Sequence, residues 1–341
     1  MNRKTWRSIA GATLAAGLAI SVAGVSSAHE SENDGHIPAN VNYGFDVVGR
    51  DTLGGVEDGK YTDVWSHNGY AYVGTFQDPD CTNAGVFVVD IDAAIAQYAA
   101  DGSTEGATVA EIKSAPNTRV NDVKVHTVGD TDVLIATEEP CGAAIPGGPT
   151  ADANINKLCP IQAPDCGRNN DSGNKDEPGE QGPGPDLQKG RGGISLYDVS
   201  NPEKPTPLKE SFLDFRGVHN TFPWTWEGRS YLIGTANTFD FFDTFFVDIT
   251  NPKKPELLNI TGALDWIPQG LNLDQLETGS SAGIFNHDVW VEVVDGKPQA
   301  VVSYWDLGFV TLDVSDPANP LFLNDSTYPE TNISGQPYEG N

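Results

Sequence analysis

Positive charge is scarce in this chain: 20 lysines and arginines stand against 48 aspartates and glutamates, a formal net charge of −28. A field of that sign repels phosphate backbones and excludes nucleic acid as a partner. It attracts cations or basic partners and otherwise makes a solvated acidic surface. Cysteine is sparse as well. Cys81, Cys141, Cys159 and Cys166 form no CxxC pair and no Cys/His cluster at zinc spacing, so no zinc site is supported. Nucleophile elbow, P-loop, Rossmann glycine motif, HExxH and Cys/His nucleophile arrangements are all missing. No apolar stretch of membrane-spanning length follows residue 28, which predicts no membrane span in the processed chain.

The N-terminus has the three parts of a secretory signal. Arg3, Lys4 and Arg7 form a positive region, Ile9 to Val25 is uncharged and apolar, and Ser26-Ser27-Ala28 offers small residues for cleavage. Residues 1–28 are therefore expected to be a signal peptide, and the protein to be secreted or extracellular, including association with the cell surface. Cleavage takes away three of the 20 positive charges and none of the 48 negative ones, moving −28 to −31. Residues 29–40 read as a disordered acidic leader.

What the chain has is repetition. Gly85–Ile91, Gly193–Val199, Thr244–Ile249 and Gly308–Val314 are four versions of one short apolar run ending in Asp and a β-branched residue. The last three continue as Ser-Asn-Pro-Glu-Lys-Pro, Thr-Asn-Pro-Lys-Lys-Pro and Ser-Asp-Pro-Ala-Asn-Pro. Asn or Asp before Pro starts a turn, and Pro cannot donate to a ladder, so a strand must stop there. Upstream, Asp63-Val64-Trp65, Asp122-Val123-Lys124, Asn220-Thr221-Phe222 and Asp288-Val289-Trp290 each open a strand, followed by a Gly-containing turn and a second strand ending in Thr or Ser. Units of four antiparallel strands in tandem predict an all-β β-propeller with four visible blades over residues 41–335. A β-sandwich would not produce so regular a period. Residues 92–101 are the one helical stretch, expected to make one or two turns. Residues 41–50 read as a strand joining another blade's sheet, and 336–341 as a tail or the start of a further blade. An open arc, a piece of a larger ring and a small closed ring all fit four blades.

The "V-D-V-S-x-P-x-x-P" strand end and the "H-D-V" strand start resemble the LVIVD-repeat proteins, over roughly residues 60–325. The resemblance implies a bacterial, secreted or surface-attached propeller. The first unit departs from the pattern, since Val89-Asp90-Ile91-Asp92 runs into the helical stretch without the Pro turn.

In a propeller the innermost strands line the channel, and their starts gather at one mouth with the loops that follow the second strands. Asp63, Asp122, His219, Asn220, His287 and Asp288 are thereby expected on one rim as a ligand-binding set, with Asn121 and Thr62 beside them. Asp78, Glu138, Glu139, Asp240 and Asp306 are expected in the adjoining loops. One reading makes the repeated Asp or Asn a cap for backbone N–H groups. The other makes the rim a cation or substrate site, with His219, His287 and Asp288 as metal ligands. Carboxylates favour calcium, magnesium or manganese, and imidazoles favour transition metals. His67 and His126 lie at a different offset and read as structural.

Residues 142–192 form an insertion rich in Gly, Pro, Asn and Asp with no apolar period. Four cysteines in an exported chain imply two disulfides with three connectivities. The spacing favours Cys159 with Cys166 inside the insertion and Cys81 with Cys141 between matching loops of adjacent blades. Two functions stand open: an extracellular binding or scaffold protein for a protein, glycan or cell-surface partner, and a metal-dependent hydrolase, lyase or oxidase at the channel mouth.

Overall fold

The computed structural model describes residues 47–326, except 57–59, 77–80, 82–83, 104, 117, 141–191, 214–216, 237–242, 272–284 and 305–306. Sixteen strands in these residues make four four-stranded antiparallel sheets, each built from consecutive strands. The first blade is β1 (Tyr61–His67), β2 (Tyr70–Thr75), β3 (Gly85–Asp90) and β4 (Thr108–Lys113). The second is β5 (Thr118–Val128), β6 (Thr131–Pro140), β7 (Gly193–Asp198) and β8 (Thr206–Phe212). The third is β9 (Val218–Trp226), β10 (Arg229–Ala236), β11 (Thr244–Asp248) and β12 (Glu256–Thr261). The fourth is β13 (Asn286–Val294), β14 (Lys297–Tyr304), β15 (Gly308–Asp313) and β16 (Leu321–Asp325). The inner strands of neighbouring blades meet in sequence order, β1 on β5, β5 on β9 and β9 on β13. This is the expected propeller architecture.

Local chemistry explains the repeat. Three inner hairpins turn through Asn68-Gly69, Glu227-Gly228 and Asp295-Gly296, with both residues of each pair at positive φ. That is the mirror-image turn that matches strand twist and calls for glycine at its second position. At the end of each third strand the repeated Asp closes a turn. Asp198, Asp248 and Asp313 accept from the backbone N–H two residues on, at 3.0, 2.8 and 2.9 Å. Asn201, Asn251 and Asp316 then accept from Glu203, Lys253 and Ala318, at 3.2, 3.2 and 3.1 Å. In the first blade the same Asp does another job. Asp90 accepts from Ala93 N–H (2.9 Å) as the N-cap of α1 (Ile91–Asp101). The helix runs three turns where one or two were expected, and Gly102, at φ 72°, ends it.

The core lies between blades. Tyr72, Val86 and Val88 meet Val120, Val123 and Leu134; Ile135, Ile194 and Leu196 meet Val218, Leu232 and Phe245; Ile233 and Phe246 meet Val289, Val302 and Val310. The third junction also buries Trp266, from the short helix α2 (Ala263–Trp266), edge-on to Tyr304 at 6.2 Å. The outer face of the first blade is covered by Leu53, Val56 and α1 through Ala93 and Ala94. The outward face of the fourth blade is open among the described residues, with Trp290 48% and Phe309 52% exposed.

Some boundaries depart from expectation. β5 begins at Thr118, upstream of Asp122, and Glu138 and Glu139 belong to β6 rather than to a loop. Residues 47–50 carry no strand, and 41–46 lie outside the described residues, as do the signal peptide, leader, insertion and tail. No helix among the described residues is long and apolar enough to cross a membrane.

Candidate functional site

Trp65, Lys124, Phe222 and Trp290 hold equivalent repeat positions on the four inner strands. Lys124 Nζ lies 5.3 Å from the Trp65 ring, Trp65 packs edge-on to Phe222 at 6.4 Å, and Phe222 meets Trp290 at 4.3 Å. The candidate rim residues lie two and three positions earlier, and they divide into two groups.

The first group joins blades one and two. Lys124 Nζ donates to Asp63 Oδ2 at 2.7 Å and to Asp122 Oδ1. Asp122 is buried, and its Oδ2 accepts from Thr221 N–H (3.0 Å) and Thr221 Oγ1 (3.3 Å) of the third blade. The capping reading holds in kind for Asp122, but the bond staples two blades instead of closing a local turn. Burial pushes the Asp122 carboxyl up to about 7 against the pull of Lys124. For Asp63 burial acts upward, yet bonds from Asp122 and Lys124 hold it below the usual carboxylate range.

The second group is the candidate site. His219 on β9 and His287 on β13 stand edge to face with ring centroids 4.7 Å apart, and Phe285 backs both at 5.4 and 6.1 Å. His219 Nδ1–H donates to Glu139 Oε1 at 2.6 Å. Glu139 is only 2% exposed on its side chain, and its other oxygen accepts from Arg119 Nε (3.1 Å) and Nη2 (2.9 Å). Asn121 Nδ2 donates to the His219 carbonyl at 2.7 Å and fixes the strand position. Burial works against the Glu139 charge, but the His219 and Arg119 bonds and charges outweigh it and hold its pKa below the ordinary value. Burial, and then the neighbouring His219, lower the His287 pKa against the opposite pull of Asp288 and Glu139. With Nδ1–H donated to Glu139, the second ring nitrogen of His219, Nε2, is left on a side chain 20% exposed.

Not every rim residue joins this group. Asp288 is exposed, and its carboxylate accepts from Val289 N–H at 2.7 Å. Asn220 follows His219, and its buried Oδ1 has no hydrogen-bond partner among the described residues. Among the described residues no group of three His, Cys, Asp or Glu side chains is arranged to hold a metal ion. His67 and His126 link blades: His67 Nε2 lies 3.1 Å from Asp132 Oδ1, and His126 Nε2 bonds Thr225 Oγ1 at 2.8 Å. Asp78, Asp240 and Asp306 lie outside the described residues, as do Cys141, Cys159 and Cys166. Glu139 and Arg119 were not expected as partners of His219. Their signal is charge: in a chain this short of cations, a buried arginine at a strand start needs a buried acid.

No protein-family model matches the chain, and no curated protein matches it in sequence. Among solved structures it is similar to a Bacteroides ovatus xyloglucan-locus protein, GH43B, at 8% identity and TM-score 0.36, over 83% of this chain and 42% of that one. It is also similar to a thermostable family-43 glycoside hydrolase at 9% identity and TM-score 0.42, covering 81% of this chain and 75% of that one. An α-L-arabinofuranosidase from Lactobacillus brevis matches at 11% identity and TM-score 0.37, over 80% and 73% of the two chains. The chain thus spans well under half of the first of these proteins and about three quarters of the other two.

Proposed function

We propose that the channel mouth is a proton-transfer site and that the chain is a hydrolase or lyase acting there on a polar substrate. His219 Nε2 takes the proton, Glu139 holds the ring in the tautomer that leaves Nε2 free, and Arg119 holds Glu139. His287, its ring centroid 4.7 Å from that of His219, lies close enough to donate to or accept from the same substrate. The 2.6 Å contact between His219 Nδ1 and a buried carboxylate carries this reading. A positioned acid–base side chain contributes about 10²–10⁴-fold to rate. The test is turnover of a panel of polysaccharides, glycosides and esters by the wild type, His219→Gln and Glu139→Gln. Both variants are expected to lose about 10²–10⁴-fold in kcat on any substrate the wild type accepts. Equal turnover by all three would overturn the reading.

A transition metal held by His219 and His287 is the second reading, favoured by the carboxylate behind the imidazole, a common support for a ligating histidine. Metal retained by the purified His219→Ala/His287→Ala double variant would exclude it. The binding or scaffold role has no single residue here to carry it. We further infer that the chain is an LVIVD-type propeller, exported with His29 as its first residue. Two disulfides go with that compartment, Cys81–Cys141 and Cys159–Cys166. Cys81 is buried, and among the described residues no cysteine is free, which supports a bond at Cys81. N-terminal sequencing and peptide mapping check these two expectations.

A further inference from the structure

Every inner strand opens on a bulge, and most of the candidate rim residues sit in those bulges. Between the pairs Tyr61–Thr75 and Val64–Val73, and again between Val120–Glu138 and Val123–Ala136, the inner strand carries one residue more than its partner. The same slip falls at His219-Asn220, between Val218–Ala236 and Thr221–Gly234, and at His287, between Asn286–Tyr304 and Asp288–Ser303. A bulge re-aims a side chain and takes a residue out of the ladder, so the ladder alone does not fix where the two imidazoles point. Bonds across the blade junctions must do it.

For His219 they come from the second blade. Its carbonyl accepts from Asn121 Nδ2 (2.7 Å) and Thr137 Oγ1 (3.1 Å), and Thr221 N–H beyond it donates to Asp122 Oδ2 (3.0 Å). For His287 the third blade supplies a different clamp. Asp243, just ahead of β11, is fully buried, and its Oδ2 accepts at 2.8 Å from the N–H of Asn286, the residue before the bulge. Its Oδ1 accepts from Tyr304 Oη at 2.9 Å, and Tyr304 is the ladder partner of Asn286. One carboxyl group thus grips both strands of the β13–β14 hairpin at the mouth. Asn286 Nδ2 adds a bond to Thr244 Oγ1 (2.8 Å), and Ala236 N–H donates to the Asp243 carbonyl (2.8 Å).

Protonation leaves the grip in place. Burial pushes the Asp243 carboxyl up to about 7, against the bonds from Asn286 and Tyr304. A proton on Oδ1 finds Tyr304 Oη (2.9 Å) or Thr244 Oγ1 (3.3 Å) as its acceptor, and Oδ2 still accepts from Asn286 N–H.

We propose that Asp243 is the positioning residue of His287: by holding Asn286 N–H and Tyr304 Oη together, it fixes the bulge that sets the His287 ring against His219. This role deepens the proton-transfer reading and rests on it for its chemical meaning. The ring spacing itself exists without substrate.

The test is the nuclear Overhauser cross-peak between the ring protons of His219 and His287, read by NMR on the histidine-labelled full chain without substrate. EDTA is present so that no metal bridges the rings, and Tm is measured on the same samples. Wild type is expected to show the cross-peak, since its ring centroids lie 4.7 Å apart. Asp243→Ala is expected to lose it while His219 keeps its Nδ1–H bond to Glu139. Asp243→Asn, which retains an acceptor for Asn286 N–H, is expected to keep it. Tyr304→Phe, which leaves the ring on Trp266 and frees Asp243 Oδ1, is expected to weaken it. An Asp243→Ala cross-peak as strong as wild type's, at whatever Tm, marks a purely structural role and overturns the proposal. So does its loss in Asp243→Asn. If Asp243→Ala does not fold, an undiminished cross-peak in Tyr304→Phe overturns it. Equal turnover by wild type and His219→Gln, with the cross-peaks as expected, sinks the proton-transfer reading alone and leaves the positioning of His287 standing.

Discussion

Two neighbouring junctions of this molecule use the same positions in different ways. Between blades two and three, mainly aliphatic side chains pack around Phe245 (Ile135, Ile194 and Leu196 on Val218 and Leu232), and the polar staple of Asp122, Thr137 and Thr221 is complete. Between blades three and four the packing is aromatic, with Phe246, Trp224, Trp266 and Tyr304, and the staple positions are left open. A repeat can hold its backbone pattern while each junction chooses its own balance of packing and hydrogen bonding. Two histidines bridge the two: His219 reaches back to Glu139 of blade two and forward to His287 of blade four.

The largest expected effect is on packing. Phe246→Ala empties the centre of the aromatic junction, where Phe246 is fully buried, and should cost about 3–5 kcal/mol in urea unfolding. A loss below about 1 kcal/mol would mean that the aromatic junction collapses around the gap. Asp122→Ala removes the staple of the other junction and should cost about 1–3 kcal/mol by leaving Thr221 N–H unpaired. Asn220→Ala, at the matching position, should cost less, because its Oδ1 holds no backbone N–H, and equal losses would erase the contrast.

The pH response tests the link between the junctions. The Glu139 pKa is depressed in the folded chain, so its contribution to stability is present above the ordinary glutamate value of 4.5 and is lost as pH falls through and below it. Glu139→Gln should therefore flatten the acid limb of a stability–pH curve, each unit of depression being worth about 1.4 kcal/mol. A curve parallel to wild type's would show that Glu139 is not held as a charge.

Thr137→Val should cost about 1 kcal/mol, since it breaks the bonds to Asp122 N–H and the His219 carbonyl. The smallest effect is expected outside both junctions. Phe309→Thr, on the open face of the fourth blade, should stay within about 0.5 kcal/mol of wild type, and a larger loss would mean that the face is covered in solution.

Most of the fold was legible in the sequence because each blade advertises its strand ends. The Asp that closes the third strand and the Asn-Pro turn after it act within five residues, so no tertiary knowledge is needed to read Asp198, Asp248 or Asp313. Helix α2 was not legible: four residues long, it forms because Trp266 fills the third junction, a tertiary cause. The site was half legible. His219 and His287 pair because the repeat sets them in register. Glu139 and Arg119 belong to the other side of a blade junction, and no spacing along the chain predicts which carboxylate meets which imidazole there. Asp63 and Asp288 share a repeat position and nothing else, since one faces Lys124 and the other faces solvent.

Each sheet is made of four consecutive strands, and this shapes how the chain finds its fold. No blade waits for a strand from elsewhere, so nearly all pairing is between neighbours in sequence, the situation that favours fast, stepwise assembly from the N-terminal end. The exception is the closure of β6 on β7, which spans Pro140 to Gly193 where the first blade needs only Thr75 to Gly85. Loop-closure entropy makes that step dearer by about 1.5 kcal/mol. Blade two, whose Arg119 and Glu139 hold His219, is thus the one with the longest closure between paired strands.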